Sequence, residues 1–241
     1  MKNKFAIVTG ASTGIGRAVA IELAGREYHV ILVGRNEAKL LETESIIKKV
    51  GDEAEVMVVD FSDLGSIRSF IKAVKDRITS IDVLANIAGV WHGKDEVYAG
   101  KDFETFDEKV ILDTFSVGLT APAVLTHYFI PLMTSGSSII NLSGTFENGG
   151  KGWLPYYVSK RAIEDFTIGL AEELKDKGIK VNCVSPSDTA TEQYKRFFPD
   201  DAKDAQTPED VARLFLEILK KDATGKVFVI KGGKVTEGFH K

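Results

Sequence analysis

Cysteine is almost missing from this chain, whose 241 residues include one, Cys183. A lone thiol closes no intramolecular disulfide, so the sequence suits a reducing compartment. Cys183 falls within an apolar strand pattern and reads as a small buried side chain rather than a nucleophile. Histidine is sparse too. His29, His92, His127 and His240 are far apart, and none has zinc-site spacing, so no metal is expected. No run approaches the roughly 18 apolar residues of a membrane-spanning helix. Met1 to Lys4 lead directly into an apolar strand pattern, without the core or cleavage site of a signal peptide. An excess of charge of one sign is also lacking. Thirty-one basic residues against 35 acidic ones leave a formal net charge of −4, spread along the chain. That balance disfavours nucleic acid as a partner and leaves room only for a local basic pocket. Six prolines and no Pro-, Gly- or Ser-rich linker favour a single domain over residues 1–241. A cytoplasmic protein acting on a small molecule, without a membrane, is the expectation.

What is present is an alternation of strands and helices. Short apolar runs at Lys4–Val8, His29–Gly34, Glu55–Val59, Ile81–Asn86, Ser137–Leu142, Lys180–Val184 and Lys226–Ile230 read as buried parallel strands. Between them lie helical patterns. One carries the stripe Ile15, Val19, Leu23 and ends near Gly25; another, capped by Asn36, covers Glu37–Lys49. Others cover Leu64–Ile78, Phe103–Leu132, Leu154–Lys177 and Pro208–Lys220. Pro122 either kinks the fourth of these or marks a fresh start. Residues 190–205 read as a lid-like stretch. Seven strands separated by helices predict an α/β fold, a doubly wound, mostly parallel Rossmann-type sheet with helices on both faces. Function in such a sheet sits beyond the carboxyl ends of the strands.

Those ends carry the chemistry. After the first strand comes Thr9-Gly10-Ala11-Ser12-Thr13-Gly14-Ile15-Gly16. Its glycines permit a tight turn, and the helix start offers free N–H groups to a pyrophosphate. Arg17 stands where a nucleotide-triphosphate loop needs lysine. After the second strand, Gly34-Arg35 leaves space and a guanidinium fork for a 2′-phosphate, where a carboxylate would repel it. Asp60 ends the third strand, as an acceptor for an adenine amino group or as a turn residue. Asn86, Ala88 and Gly89 follow the fourth. Ser143 follows the fifth, and thirteen residues on, Tyr156 and Lys160 stand at i and i+4 on one helix face. A phenol titrates near 10, and a neighbouring ammonium favours phenolate, bringing it toward use as an acid-base group.

Together these motifs resemble the short-chain dehydrogenase/reductase family over about residues 4–233. The resemblance implies catalysis by Ser143, Tyr156 and Lys160, with NADP(H) as cofactor. It implies cofactor contacts from Gly10, Ser12, Thr13, Gly14, Ile15, Gly16, Arg35, Asp60, Phe61, Asn86, Ala88, Gly89, Tyr156, Lys160, Pro186 and Thr191. A homotetramer or homodimer and a small carbonyl or alcohol substrate follow from it. Three departures stand out. Thr13 occupies a place that is often basic, Ser187 replaces a glycine after Pro186, and Gly118 stands where the family has a catalytic asparagine. A water filling the space left by that asparagine is the expected arrangement, rather than a helix closed around the glycine. Phe146, Trp153, Phe197 and Phe198 line the pocket or serve as packing, and His92 has the same two readings. The functional expectation is reversible, NADPH-dependent reduction of a ketone or aldehyde. A catalytically weak dinucleotide-binding regulator or scaffold is the rival, and 3-oxoacyl-thioester reduction is a narrower variant.

Overall fold

The computed structural model describes residues 4–146 and 149–238; His240 and the first three residues lie outside them. Strands β1 (Lys4–Thr9), β2 (Tyr28–Gly34), β3 (Ala54–Val58), β4 (Val83–Asn86), β5 (Ser138–Leu142), β6 (Lys180–Pro186), β7 (Lys226–Lys231) and β8 (Lys234–Glu237) form one sheet in the order β3-β2-β1-β4-β5-β6-β7-β8. All neighbours are parallel except β7 and β8. The sheet therefore has eight strands rather than the expected seven. Gly232 and Gly233 both take positive φ and turn the chain back on itself, pairing Lys231 with Lys234. That is the two-residue hairpin that glycine pairs favour.

Side-chain alternation along the strands divides the interior into two cores. Ala6 and Val8 face one side, with α1 (Gly14–Ala24), α2 (Glu37–Lys49) and α8 (Pro208–Lys220) contributing Leu23, Leu40 and Phe215. Ile7 faces the other, where α3 (Leu64–Arg77), α5 (Ala121–Phe129) and α6 (Leu154–Leu174) supply Phe70, Phe129 and Leu170. The strand order reverses at β1, which pairs with both β2 and β4. This opens a cleft at the carboxyl ends of those strands.

The helix expected over Phe103–Leu132 is interrupted. A 3-10 turn at Phe103–Thr105 precedes α4 (Glu108–Phe115), a π-helical turn covers Ser116–Thr120, and α5 starts afresh with Pro122 as its second residue. Proline is tolerated in a first turn, where its missing N–H has no helical partner to lose. The 25 residues Glu108–Leu132 are apolar enough by composition to cross a bilayer, but Val117, Ala121, Leu125 and Phe129 are buried in the core.

Candidate active site

The glycine turn after β1 is forced by close packing. Gly10 has φ +71°, and a Cβ there would come within 3.0 Å of the Ala88 backbone; one on Gly16 would collide with the Gly10 carbonyl oxygen. The Thr9 hydroxyl accepts from the amides of Ile87 (2.9 Å) and Ala88 (3.1 Å), locking the ends of β1 and β4 together. Thr13 precedes α1 without capping it, and the first turn holds no acidic residue. The N–H groups of that helix start are thus open to an anion. Arg17 is not spare for this purpose, because its guanidinium turns back onto the Ser12 carbonyl (2.7 Å) and Glu42 (3.0 Å). Ile15 packs partly buried on the core.

Arg35 is exposed at the end of β2 and has no ion-pair partner among the described residues. It borders a cavity of about 440 Å³ together with Val90, His92, Val110 and Arg196. Beside it, a Cβ on Gly34 would meet only ordinary contacts, including the Ser12 hydroxyl at 3.7 Å. Asp60 anchors a turn through one carboxylate oxygen, Oδ1. Its carboxylate accepts from the Ser62 amide (2.9 Å) and hydroxyl (2.7 Å), and the amide bond first of all holds it below the usual carboxylate range. Phe61 is buried in the core. Asn86 donates to Asn141 (2.9 Å), while its own side-chain oxygen is buried without a hydrogen-bond partner.

Ser143, Tyr156 and Lys160 converge where β5 meets α6. Lys160 is 2% exposed and donates to the Leu142 carbonyl at 2.8 Å. Its Nζ lies 5.3 Å from the centre of the Tyr156 ring and 3.3 Å from where a Gly89 Cβ would be, which explains a glycine there. Burial disfavours the charged form of both groups. It pulls Lys160 down to about 8 and pushes the Tyr156 phenol up. The expected lowering of the phenol by its ammonium neighbour is thus overturned in this state: the ammonium faces the ring rather than pairing with the oxygen, and desolvation prevails. Ser143 is bound from below by a residue the sequence reading missed. Glu164, fully buried, accepts from the Ser143 hydroxyl (2.6 Å) and from Arg161 (2.6 Å). Its signal was available, since it stands four residues after Lys160 on the same helix face.

Gly118 faces the Ser159 side chain rather than open space. A Cβ there would lie 3.0 Å from both Cβ and Oγ of Ser159, whose hydroxyl donates to the Tyr156 carbonyl (2.7 Å). The helix has closed around the glycine, and its π-helical turn carries the close approach. Ser187, in place of a glycine, causes no strain, since its φ is not positive; its amide donates to Ile230 (2.8 Å). Pro186 is buried at the end of β6. Cys183 is fully buried beside these groups, its thiol pushed up to about 12 by burial.

The lid region is more ordered than expected. Thr191 caps a short helix, α7 (Glu192–Phe197), and its methyl group reaches Gly14. Facing it, residues 91–98 form a small hairpin in which Gly93 bonds Glu96 and Tyr98 bonds Trp91. Trp91 stacks on Phe198 (6.4 Å), and Phe198 and Tyr156 both lie beside Trp153. Phe146 meets the edge of Tyr156. His92 packs on Phe197, its Nδ1 bonded to the Gly93 carbonyl (2.7 Å), and burial foremost lowers its pKa.

Comparison with known proteins agrees with this geometry. The chain is 34% identical over 195 residues to the oxidoreductase YxbG of Bacillus subtilis, covering 79% of this chain and 68% of that one. It is 29% identical over 197 residues to a 3beta-hydroxysteroid dehydrogenase of Mediterraneibacter gnavus, covering 80% and 68%. Among solved structures, a short chain dehydrogenase from Burkholderia cenocepacia in complex with NADP superposes with a TM-score of 0.85 at 26% identity, over 95% of this chain and 97% of the other. The short chain dehydrogenase profile matches residues 4–202, and with the glycine turn and the Ser143, Tyr156 and Lys160 cluster in place, this chain belongs to the short chain dehydrogenase family.

Proposed function

We propose that the protein reduces a ketone or aldehyde with NADPH, reversibly. The observation that carries this reading is the convergence of Ser143, Tyr156 and Lys160 beside the glycine turn. The cleft fits the dinucleotide: an uncapped helix start meets its pyrophosphate, and the unpaired Arg35 its 2′-phosphate, with Gly34 leaving space. The NADP bound to the Burkholderia neighbour supports the same choice. When bound, NADPH supplies the hydride. Lys160 would hold the nicotinamide ribose, and Thr191 the neighbouring end of the cofactor. Tyr156 gives its phenolic proton to the carbonyl oxygen, and Ser143 fixes that oxygen in place.

A second reading, a weakly active dinucleotide-binding regulator, draws on Gly118. No side chain at that position joins Lys160 to solvent, and Ser159 occupies the space. One experiment separates the two readings: NADPH absorbance is followed with a panel of simple carbonyls for the wild type and for Tyr156→Phe. Cofactor should bind both proteins, while turnover by the variant falls about 10²–10⁴-fold. Near-normal reduction by Tyr156→Phe removes the phenol from the chemistry. NADPH binding without wild-type turnover favours the regulator. Self-association belongs to the same proposal. Leu112 on α4 and Leu154 and Val158 on α6 are exposed apolar residues on neighbouring helices that a homodimer or homotetramer would cover, and light scattering would read the mass of that assembly.

A further inference from the structure

The short helix α7 is fastened at both ends. At its start, the Thr191 methyl group rests on Gly14 of the glycine turn, and Glu192 pairs with Lys39 of α2 at 3.8 Å. At its end, Arg196 reaches the tip of the hairpin after β4, 101 residues away in sequence. One guanidinium nitrogen donates to the Lys94 carbonyl and another to the Asp95 carboxylate, each at 2.7 Å. Beneath that fork, Phe197 packs on Trp91 and His92, with ring centres 6.1 and 5.6 Å apart. The strap so formed runs from the glycine turn to the cavity beside Arg35, and Arg196 itself forms part of that cavity's wall.

Two features decide what Arg196 does there. Its planar fork is filled by a carbonyl and a carboxylate, so it is not a spare cation for a phosphate, unlike Arg35. Both partners lie on a separate segment, so the contact joins two pieces of chain that also meet through aromatic rings. A dinucleotide laid along the cleft from the helix start to Arg35 would pass beneath the strap. Release of the strap at its Arg196 end, held by surface side-chain contacts, would open that path.

We propose that Arg196 is a cofactor-retaining residue: its clasp on Lys94 and Asp95 closes the strap over the cleft, and breaking that clasp is the step that admits and releases the dinucleotide. This rests on the reading of the cleft as an NADPH site. A clasp that forms over bound cofactor slows release, and because the Arg196 fork is already filled by Lys94 and Asp95 rather than free for a phosphate, it acts on NADH as well as on NADPH.

Stopped-flow energy transfer from Trp91 and Trp153 to bound NADPH tests this. Arg196→Ala should release NADPH about two- to fivefold faster, the range of an exposed ion pair. Asp95→Asn, altered on the other segment, should do much the same, and the double variant should be no faster than Arg196→Ala. Lys195→Ala, next in sequence but exposed and outside the clasp, should release at the wild-type rate. Unchanged release in both Arg196→Ala and Asp95→Asn, with wild-type NADPH binding intact, overturns the clasp alone. Additive acceleration overturns it too, since two residues of one contact cannot each contribute separately. Absence of NADPH binding by the wild type overturns the cofactor reading and the clasp with it. Asp95→Asn carries the same test without altering the lid helix, and so keeps it independent of the folding of Arg196→Ala.

Discussion

At the scale of single residues, the sharpest assignment concerns Arg35. A cation at the start of α2 stands against the helix dipole, and Arg35 makes no ion pair among the described residues, with Asp60 acting on it only at longer range. A 2′-phosphate would pair with it. Arg35→Ala should therefore weaken NADPH about tenfold, near 1.5 kcal/mol, and leave NADH unchanged, as titration calorimetry with both cofactors would measure. Gly34→Asp makes the converse test. A Cβ at Gly34 meets nothing nearer than 3.7 Å, so the new carboxylate is accommodated, repels the phosphate and shifts preference toward NADH. Equal losses for both cofactors in Arg35→Ala would remove the residue from phosphate recognition.

At the scale of elements, the strand ends were legible and the contacts between distant segments were not. The turn from Gly10 to Gly16, and the Tyr156 and Lys160 pair, depend on short-range spacing, which a sequence displays directly. Strand β8 was missed because its four residues are short and polar on an exposed edge, and only the turn at Gly232 and Gly233 announces it. Glu164 stood at a legible spacing, but its role depends on Ser143, 21 residues away, coming beneath the end of β5. Gly118 shows the same limit. Nothing local says whether a missing side chain leaves a hole or a contact, because the answer depends on how near α6 comes to the π-helical turn at Ser116–Thr120. Since Ser159 fills that place, Gly118→Asn should overpack the junction. The expected cost is about 1–3 kcal/mol, read as a lower thermal unfolding temperature together with lower turnover. A variant as stable as wild type, and faster, would show that α6 yields and that the asparagine restores a proton route.

At the scale of the whole molecule, titratable groups are buried where α6 meets β5 and β6, and their burial couples stability to pH. Lys160 titrates near 8 in the folded protein, against its ordinary 10.5. Between those values the unfolded chain binds more protons than the native one, so this group makes stability rise as pH climbs from about 8 to 10.5. Cys183 works in the opposite direction. Its thiol titrates near 12 when folded, against an ordinary 9.0, so the stability it contributes is fully present below about pH 9 and is lost as pH rises toward 12. Tyr156, also raised by burial, adds to that loss once pH passes the ordinary range of a phenol. The two signs overlap between pH 9 and 10.5, and a single unfolding curve would blur them. Comparing Cys183→Ala with wild type isolates one. The substitution removes a small buried volume, which lowers stability by a similar amount at every pH, and it also removes the thiol. Urea midpoints measured from pH 7 to 11 should therefore fall less steeply above pH 9 in the variant, so that the gap between the two proteins narrows as pH rises. Curves that stay parallel throughout would mean that the thiol ionises no differently in the folded and unfolded chains, and that Cys183 is not sealed from water where β6 passes behind Ser143.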